Sequence, residues 1–191
     1  METENKIVEL FIEEKISKTI REISKAIKSD YRITHTATQR LIKKNILLSR
    51  VVGKSILCEL NESYYGKEIY NVEDKRRYRL LENKNLNLIY KEIMTKVKSN
   101  LFVFMIFGSY AKWKSTKSSD IDIMFISNDT NFEEKIHNIT SLFPINTHVL
   151  VFTEEEFIRM KDSKKSNVIK EAIKNNIILY GIENYYRLKN A

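Results

Sequence analysis

The chain has 191 residues, of which 42% are hydrophobic and 30% charged, and its formal net charge is +8. Apolar and aromatic residues are spread along the whole chain, which predicts a folded protein of one large or two small domains rather than a disordered one. The single cysteine excludes an intramolecular disulfide, and no apolar run approaches the roughly 20 residues that span a bilayer. The first turn is charged and does not resemble a signal peptide. We therefore expect a cytoplasmic protein without a membrane segment.

The first 60 residues predict three helices and a hairpin. Apolar residues recur at helical spacing in three stretches: 4–13, 17–27 and 34–45. Ser17 is the expected N-cap of the second helix. Two β-type runs, 47–52 and 55–60, flank Gly53-Lys54, which favours a hairpin at this point.

Positive charge is concentrated in this part of the chain. Residues 15–58 hold eleven Lys or Arg against only Glu22 and Asp30, whereas residues 101–191 hold twelve basic and eleven acidic residues. Excess positive charge in one segment is typical of proteins that bind a polyanion. A solvated lysine-rich surface is the alternative interpretation.

Three short helices followed by a basic hairpin resemble the winged helix-turn-helix of archaeal and bacterial regulators, over about residues 3–61. The resemblance implies DNA binding, with the helix at 34–45 in the major groove and the hairpin as the wing. It assigns DNA contacts to seven residues: Thr36, Gln39, Arg40, Lys43, Lys44, Arg50 and Lys54. Winged helices also serve as structural or protein-binding modules, and those that bind DNA are often homodimers.

The remaining chain predicts an α+β domain. A connector is expected at 63–85, followed by a helix over about 86–98. From residue 101 strands and helices alternate, with strands expected at 101–107, 120–127, 146–152 and in the run IILYG. A helix with Thr153 as N-cap and Glu156 at the capping-box position follows the third strand. We expect an N-terminal domain over 1–62 and a second domain over 86–191.

A phosphate-binding and metal-binding pattern lies between the first two of these strands. The buried strand ends at Gly108-Ser109, where a residue without Cβ lets backbone N–H groups approach phosphate, and Ser109 adds a hydroxyl donor. Ten residues later come Asp120 and Asp122, two apart on a strand, so their carboxylates are expected on the same face. Paired carboxylates together with triphosphate oxygens are ligands that suit Mg²⁺ or Mn²⁺.

The run GSYAKWKSTKSSDIDIMFI resembles the signature of the minimal nucleotidyltransferases of the DNA polymerase β superfamily, and the resemblance covers about residues 86–181. It implies a small mixed sheet flanked by helices. The metal-binding, catalytic aspartates of the family fall on Asp120 and Asp122. The nucleotide-binding positions are Gly108, Ser109, Lys112 and Ser119, where Lys112 keeps the positive charge of the family's arginine.

Two positions depart from the family pattern. Trp113 stands where the family often has glycine, and the third carboxylate of the family, on the next strand, is replaced by His148 or Asn146. His148 could act as a general base, because an imidazole titrates near neutral pH, or it could be a bystander on the strand.

The resemblance implies transfer of a nucleoside monophosphate, AMP by default, from NTP to a hydroxyl. Minimal nucleotidyltransferases of this kind commonly act as antitoxins that modify a HEPN toxin, and a fused winged helix suits autoregulation of the operon. The alternative is a DNA-binding regulator whose nucleotidyltransferase domain binds NTP without turnover. A transferase that modifies RNA or tRNA is a third interpretation.

Overall fold

The computed structural model describes residues 2–98, 101–116 and 119–191. The chain divides into two compact units, Met1–Val72 and Glu73–Ala191. Within the described ranges, every helix is too short or too polar to span a bilayer.

The N-terminal unit is helical, with a small antiparallel sheet. Its helices are α1 (Glu2–Glu14), α2 (Ile20–Ala26) and α3 (Tyr31–Lys43), and its strands are β1 (Lys18–Thr19), β2 (Leu47–Val52) and β3 (Ser55–Leu60). The strand order is β1-β3-β2, and both pairings are antiparallel. The hairpin predicted around Gly53 is therefore present. Strand β1 pairs with the other edge of β3 and extends the hairpin to three strands.

The start of α2 differs from the sequence prediction. Ser17 was the expected N-cap, but the cap is Thr19, whose side chain accepts from the backbone of Glu22 while Glu22 accepts from the backbone of Thr19. Lys18 and Thr19 are held by pairing with β3, so the chain is extended up to the cap. The capping box satisfies two backbone donors at once and places the N-cap two residues after Ser17.

Helix α3, in contrast to α2, begins earlier than its apolar periodicity predicts. The side chain of Asp30 accepts a hydrogen bond of 2.8 Å from the backbone N–H of Arg32. That cap starts the helix at Tyr31 rather than near Thr34. The additional turn carries exposed residues, and this is why apolar spacing did not reveal it.

The core of the N-terminal unit contains the chain's one cysteine. Cys58 is buried in β3, and burial raises the pKa of its thiol to about 11. At neutral pH the thiol stays protonated, and Cys58 is a core residue rather than a nucleophile.

Two helices follow the N-terminal sheet, α4 (Lys67–Leu80) and α5 (Lys84–Lys96). Helix α4 runs through most of the segment in which the sequence predicted a connector, and the division between the two units falls within this helix, after Val72. Helix α5 is capped by Asn83 and begins at Lys84, two residues before its first buried apolar side chain, Leu86.

The C-terminal unit contains a mixed four-stranded sheet. Its strands are β4 (Val103–Phe107), β5 (Ile121–Ile126), β6 (Thr147–Phe152) and β7 (Asn176–Tyr180), in the order β6-β5-β4-β7. Strands β5 and β6 are parallel, and the other two pairings are antiparallel. Its further helices are α6 (Gly108–Ala111), α7 (Phe132–Thr140), α8 (Glu154–Asp162), α9 (Val168–Lys174) and α10 (Ile182–Asn190). The predicted α+β class and the mixed sheet are confirmed.

The central strand β4 is buried at all five of its residues, as its uninterrupted apolar run predicts. A stack of aromatic rings packs on it, and the centroids of Phe104 and Phe125 are 4.7 Å apart. This core fixes the end of β4 and the beginning of β5, which are the points from which the candidate site is built.

A buried polar network ties α4 to the end of the C-terminal unit. Arg76 forms an ion pair of 2.6 Å with Glu73 and donates to the backbone carbonyl of Asn176 at 2.8 Å. The Tyr186 hydroxyl donates to Glu73 at 2.7 Å, and burial raises the pKa of that hydroxyl. Because each charge is partnered, the network is compatible with its burial.

Candidate active site

The turn after β4 brings a glycine against an aspartate of the neighbouring strand. Gly108 has φ +66°, in the left-handed region that favours glycine, and a Cβ there would collide with the carboxylate of Asp122. Both the backbone conformation and the space therefore require glycine. The group that lies against Gly108 is the Asp122 carboxylate, and the predicted approach of phosphate to the Gly108 backbone stays a prediction.

The register of the parallel strands places His148 beside Asp122. These two residues are direct partners in the β5–β6 pairing, and the Nδ1 atom of His148 lies 3.4 Å from Oδ1 of Asp122. The sequence left Asn146 and His148 as alternatives for the third position. Asn146 instead accepts a backbone hydrogen bond from Ile121 at 3.0 Å. The strand register therefore selects His148 as the neighbour of Asp122.

Asp120 lies one residue before β5 and is exposed. Residues two apart near a strand end project to the same side if the extended backbone continues. It stays a prediction that Asp120 and Asp122 together bind one metal ion.

The donors at this position fit a divalent cation only in part. Asp122 offers carboxylate oxygens and His148 offers a ring nitrogen, and their side chains are 28% and 60% exposed. Among the described residues no group of three or more His, Cys, Asp or Glu side chains could hold a metal ion without other ligands. The residues therefore fit an ion that receives further oxygens from a bound phosphate group.

The short helix α6 and the turn after it carry the predicted phosphate neighbours. The carbonyl of Ser109 accepts a backbone hydrogen bond from Lys114 at 3.0 Å, which keeps this turn compact, and Ser109 itself is half-buried. The Nζ atom of Lys112 lies 3.4 Å from a carboxylate oxygen of Glu171 on α9. Part of the Lys112 charge is therefore balanced within the unit. No sequence signal pointed to Glu171, which lies 59 positions away.

Trp113 adopts the backbone conformation that glycine would favour. Its φ is +56°, a region that bulky residues rarely occupy. The guanidinium of Arg79 lies over the indole at 4.2 Å from the ring centroid. This cation–π contact offsets part of the strain and holds a half-exposed ring next to the Gly108 turn.

Ser119 is hydrogen-bonded to Thr116. Its hydroxyl oxygen accepts from the backbone N–H of Thr116 at 2.9 Å, and its own N–H donates to the Thr116 carbonyl at 3.1 Å. These bonds shape the approach to Asp120. The predicted contact between Ser119 and nucleotide stays a prediction.

The seven residues predicted to contact DNA lie on α3 and on the β2–β3 hairpin. Exposed among them are Thr36, Arg40, Lys43, Lys44, Arg50 and Lys54, whereas Gln39 is half-buried. The hydroxyl of Thr36 donates to the Arg32 carbonyl at 3.0 Å, within the helix itself.

Two of these basic residues have acidic partners inside the N-terminal unit. Arg40 and Lys44 lie 3.7 and 3.6 Å from the carboxylate of Glu4, and Lys44 lies 3.2 Å from Glu68. The hydrogen bond to Glu68 raises the pKa of Lys44. The sequence did not reveal these pairs because Glu4 and Glu68 are distant along the chain.

The chain matches the family model described as polymerase beta, nucleotidyltransferase, over residues 88–185. The match covers half of the chain and most of the C-terminal unit, and the chain belongs to this family. No curated protein and no solved structure is significantly similar to the chain.

Proposed function

We propose that the chain transfers a nucleoside monophosphate, AMP by default, from an NTP to a hydroxyl of a protein or nucleic acid. The observation that carries this proposal is the Asp122 carboxylate packed against Gly108, at the end of a buried strand, in a chain of the nucleotidyltransferase family. A phosphate-binding turn and a metal-binding carboxylate in contact are what phosphoryl transfer requires, since this chemistry depends mainly on positioning and charge neutralisation.

Each residue has a distinct task in this proposal. Gly108 and Ser109 bind the triphosphate through backbone N–H groups and the hydroxyl, and Lys112 balances negative charge. Asp120 and Asp122 would hold the divalent ion, which neutralises charge on the phosphates when bound. The acceptor oxygen forms a bond to the α-phosphorus, the bond to the bridging oxygen breaks, and pyrophosphate leaves. The proton of the acceptor hydroxyl is released to solvent.

The test of this proposal is label transfer. The full chain is incubated with each α-labelled NTP, Mg²⁺ or Mn²⁺, and cell lysate, beside the variants Asp120→Asn and Asp122→Asn. We expect label on a protein or RNA with the wild type, and a loss of at least about a hundredfold in either variant. Asp129→Asn is a matched control, because Asp129 follows the other end of β5 and pairs with Lys135 at 2.8 Å. Equal labelling by Asp122→Asn and wild type would contradict the assignment.

We further propose that the N-terminal unit is a winged helix-turn-helix that binds DNA. The helix order, the strand order β1-β3-β2 and the exposed Lys43, Arg50 and Lys54 support this proposal. DNA held by these side chains should dissociate steeply as salt rises, because phosphate contacts release counterions. Binding of DNA fragments is measured between 50 and 200 mM salt, about the range in which such contacts weaken strongly. Affinity that does not change with salt would contradict the proposal.

The second candidate is a DNA-binding regulator whose C-terminal unit binds NTP without transferring it. His148 favours this candidate, because it lies beside Asp122 where the family has a carboxylate. NTP binding without label on any acceptor, together with salt-dependent DNA binding, would support it. Label on a HEPN-type toxin would instead support an antitoxin-like transferase, and label on RNA would support an RNA-modifying one.

A further inference from the structure

The replacement of a carboxylate by an imidazole changes which metal ions the site can bind well. His148 is paired with Asp122 by the backbone register of two parallel strands, so their proximity does not depend on a flexible loop. The imidazole is 60% exposed on the same side of the sheet as the Asp122 carboxylate, and its Nδ1 atom is the one that lies close to it.

We propose that His148 is a metal ligand, and that it makes the site prefer a later first-row transition-metal ion, such as Co²⁺, over Mg²⁺. This inference rests on the proposed function, because it takes the Asp122 carboxylate to be a metal ligand. It goes further by assigning His148 a role and the protein a metal preference.

The chemistry of the donors supports this preference. Mg²⁺ is a hard ion that takes oxygen ligands and holds its water tightly. An imidazole nitrogen adds little to its binding, whereas it suits Fe²⁺, Co²⁺, Ni²⁺, Cu²⁺ and Zn²⁺. A site in which an imidazole replaces one of the carboxylates therefore gains affinity for the later ions that an all-carboxylate site lacks.

The distance between the donors is compatible with a shared ion. Two ligand atoms that each lie about 2.1 Å from one ion are roughly 3 to 3.5 Å apart when their bonds meet at about 90 to 110°. The observed 3.4 Å between His148 Nδ1 and Asp122 Oδ1 lies within this interval. It is also longer than a strong charge-assisted hydrogen bond, which would lie near 2.7 to 2.9 Å.

The test measures metal binding directly and does not need turnover. Mn²⁺ is bound to the full chain with a non-hydrolysable ATP analogue, and free Mn²⁺ is followed by electron paramagnetic resonance while Mg²⁺ or Co²⁺ displaces it. For each protein, the Mg²⁺ concentration that displaces half of the bound Mn²⁺ is divided by the corresponding Co²⁺ concentration. Differences in overall nucleotide affinity cancel in this Mg²⁺-to-Co²⁺ ratio. We expect Co²⁺ to displace Mn²⁺ far more readily than Mg²⁺ does in the wild type.

Two variants decide the role of His148. His148→Asp, which supplies a carboxylate, should lower the Mg²⁺-to-Co²⁺ ratio about tenfold or more, and His148→Ala should lower it in the same direction. His137→Asp is the matched control, because His137 is an exposed histidine on α7 that lies 3.8 Å from Glu133 of the same helix. The control should keep the wild-type ratio.

The outcomes separate this inference from the proposed function. An unchanged ratio in both His148 variants overturns the inference. So does Mn²⁺ binding by the Asp122→Asn protein beyond that of the ATP analogue alone, if it equals that of the wild type, since the ion would then lie elsewhere. Label transfer together with an unchanged ratio supports the proposed transferase function and overturns the role of His148 as a metal ligand. A lowered ratio without label transfer supports His148 as a ligand in a protein that binds NTP but does not turn it over.

Discussion

The two units arrange their candidate binding residues in different ways. In the N-terminal unit the residues lie on one helix and one hairpin, which are close together along the chain. In the C-terminal unit Gly108, Asp122 and His148 come from a turn and two strands, and the sheet register brings them together. The first surface should therefore lose binding in small, additive steps, whereas a single change in the second site should have an abrupt effect.

The largest effect is expected at the buried network of the C-terminal unit. Glu73→Ala leaves the guanidinium of Arg76 without its buried carboxylate, and we expect a loss of about 3–5 kcal/mol in the free energy of unfolding. Glu2→Ala is the comparison in the N-terminal unit. It removes a pair with Lys6 in which the side chains are 81% and 53% exposed, and it should cost less than about 1 kcal/mol. Denaturant unfolding measures the stability of both variants. Similar losses of unfolding free energy would contradict the predicted difference between the buried and the exposed ion pair.

The second prediction compares two glycines of the left-handed region. Gly108→Ala strains the backbone and displaces the Asp122 carboxylate, so transfer should fall at least about a hundredfold. Gly53→Ala has a similar φ of +59° but open space around its Cβ. It should cost about 1 kcal/mol of stability and leave transfer unchanged. Label transfer and thermal unfolding of both variants test this, and an active Gly108→Ala protein would count against the site.

The third prediction concerns the additivity of the DNA surface. Arg50→Ala and Lys54→Ala should each lower the slope of log K against log salt by about 1, and the double variant by about 2. Arg40→Ala should have a smaller effect, because Glu4 already lies 3.7 Å from its guanidinium. Fluorescence anisotropy with labelled DNA at several salt concentrations measures the slopes. Complete loss of binding in one single variant would show that this surface is not additive.

The smallest effect is expected at two capping boxes, one in α2 of the N-terminal unit and one in α8 of the C-terminal unit. Hydrogen bonds from Thr19 and Thr153 hold the pKa values of Glu22 and Glu156 below their usual value of 4.5. A lowered pKa in the folded state contributes stability above pH 4.5, and this is lost as the pH falls through the folded value. Glu22→Gln and Glu156→Gln should each lose less stability than the wild type between pH 6 and pH 3.5, as measured by thermal unfolding. Because the two capping boxes have the same hydrogen bonds, a reduced pH dependence in only one of the two variants would contradict the prediction.

Local sequence signals anticipated most of the elements but not all of their boundaries. The apolar run before Gly108 predicted β4, and the β-type runs around Gly53 predicted the hairpin. The start of α2 was wrong because Ser17 and Thr19 are both acceptable caps by sequence, and pairing of Lys18–Thr19 with β3 decides between them. Pairing with a strand that is distant along the chain therefore decides between two similar capping residues.

The sequence by itself pointed to the family, since the run that contains Gly108, Asp120 and Asp122 resembles the nucleotidyltransferases and the family match agrees. Only the tertiary structure decided that His148 rather than Asn146 faces Asp122, that Glu171 lies near Lys112, and that Arg79 covers Trp113. The physical reason is that side-chain type and spacing follow from the local chain. Contacts between distant elements depend on strand register and helix packing, and a shift of one residue would place a different side chain at the site.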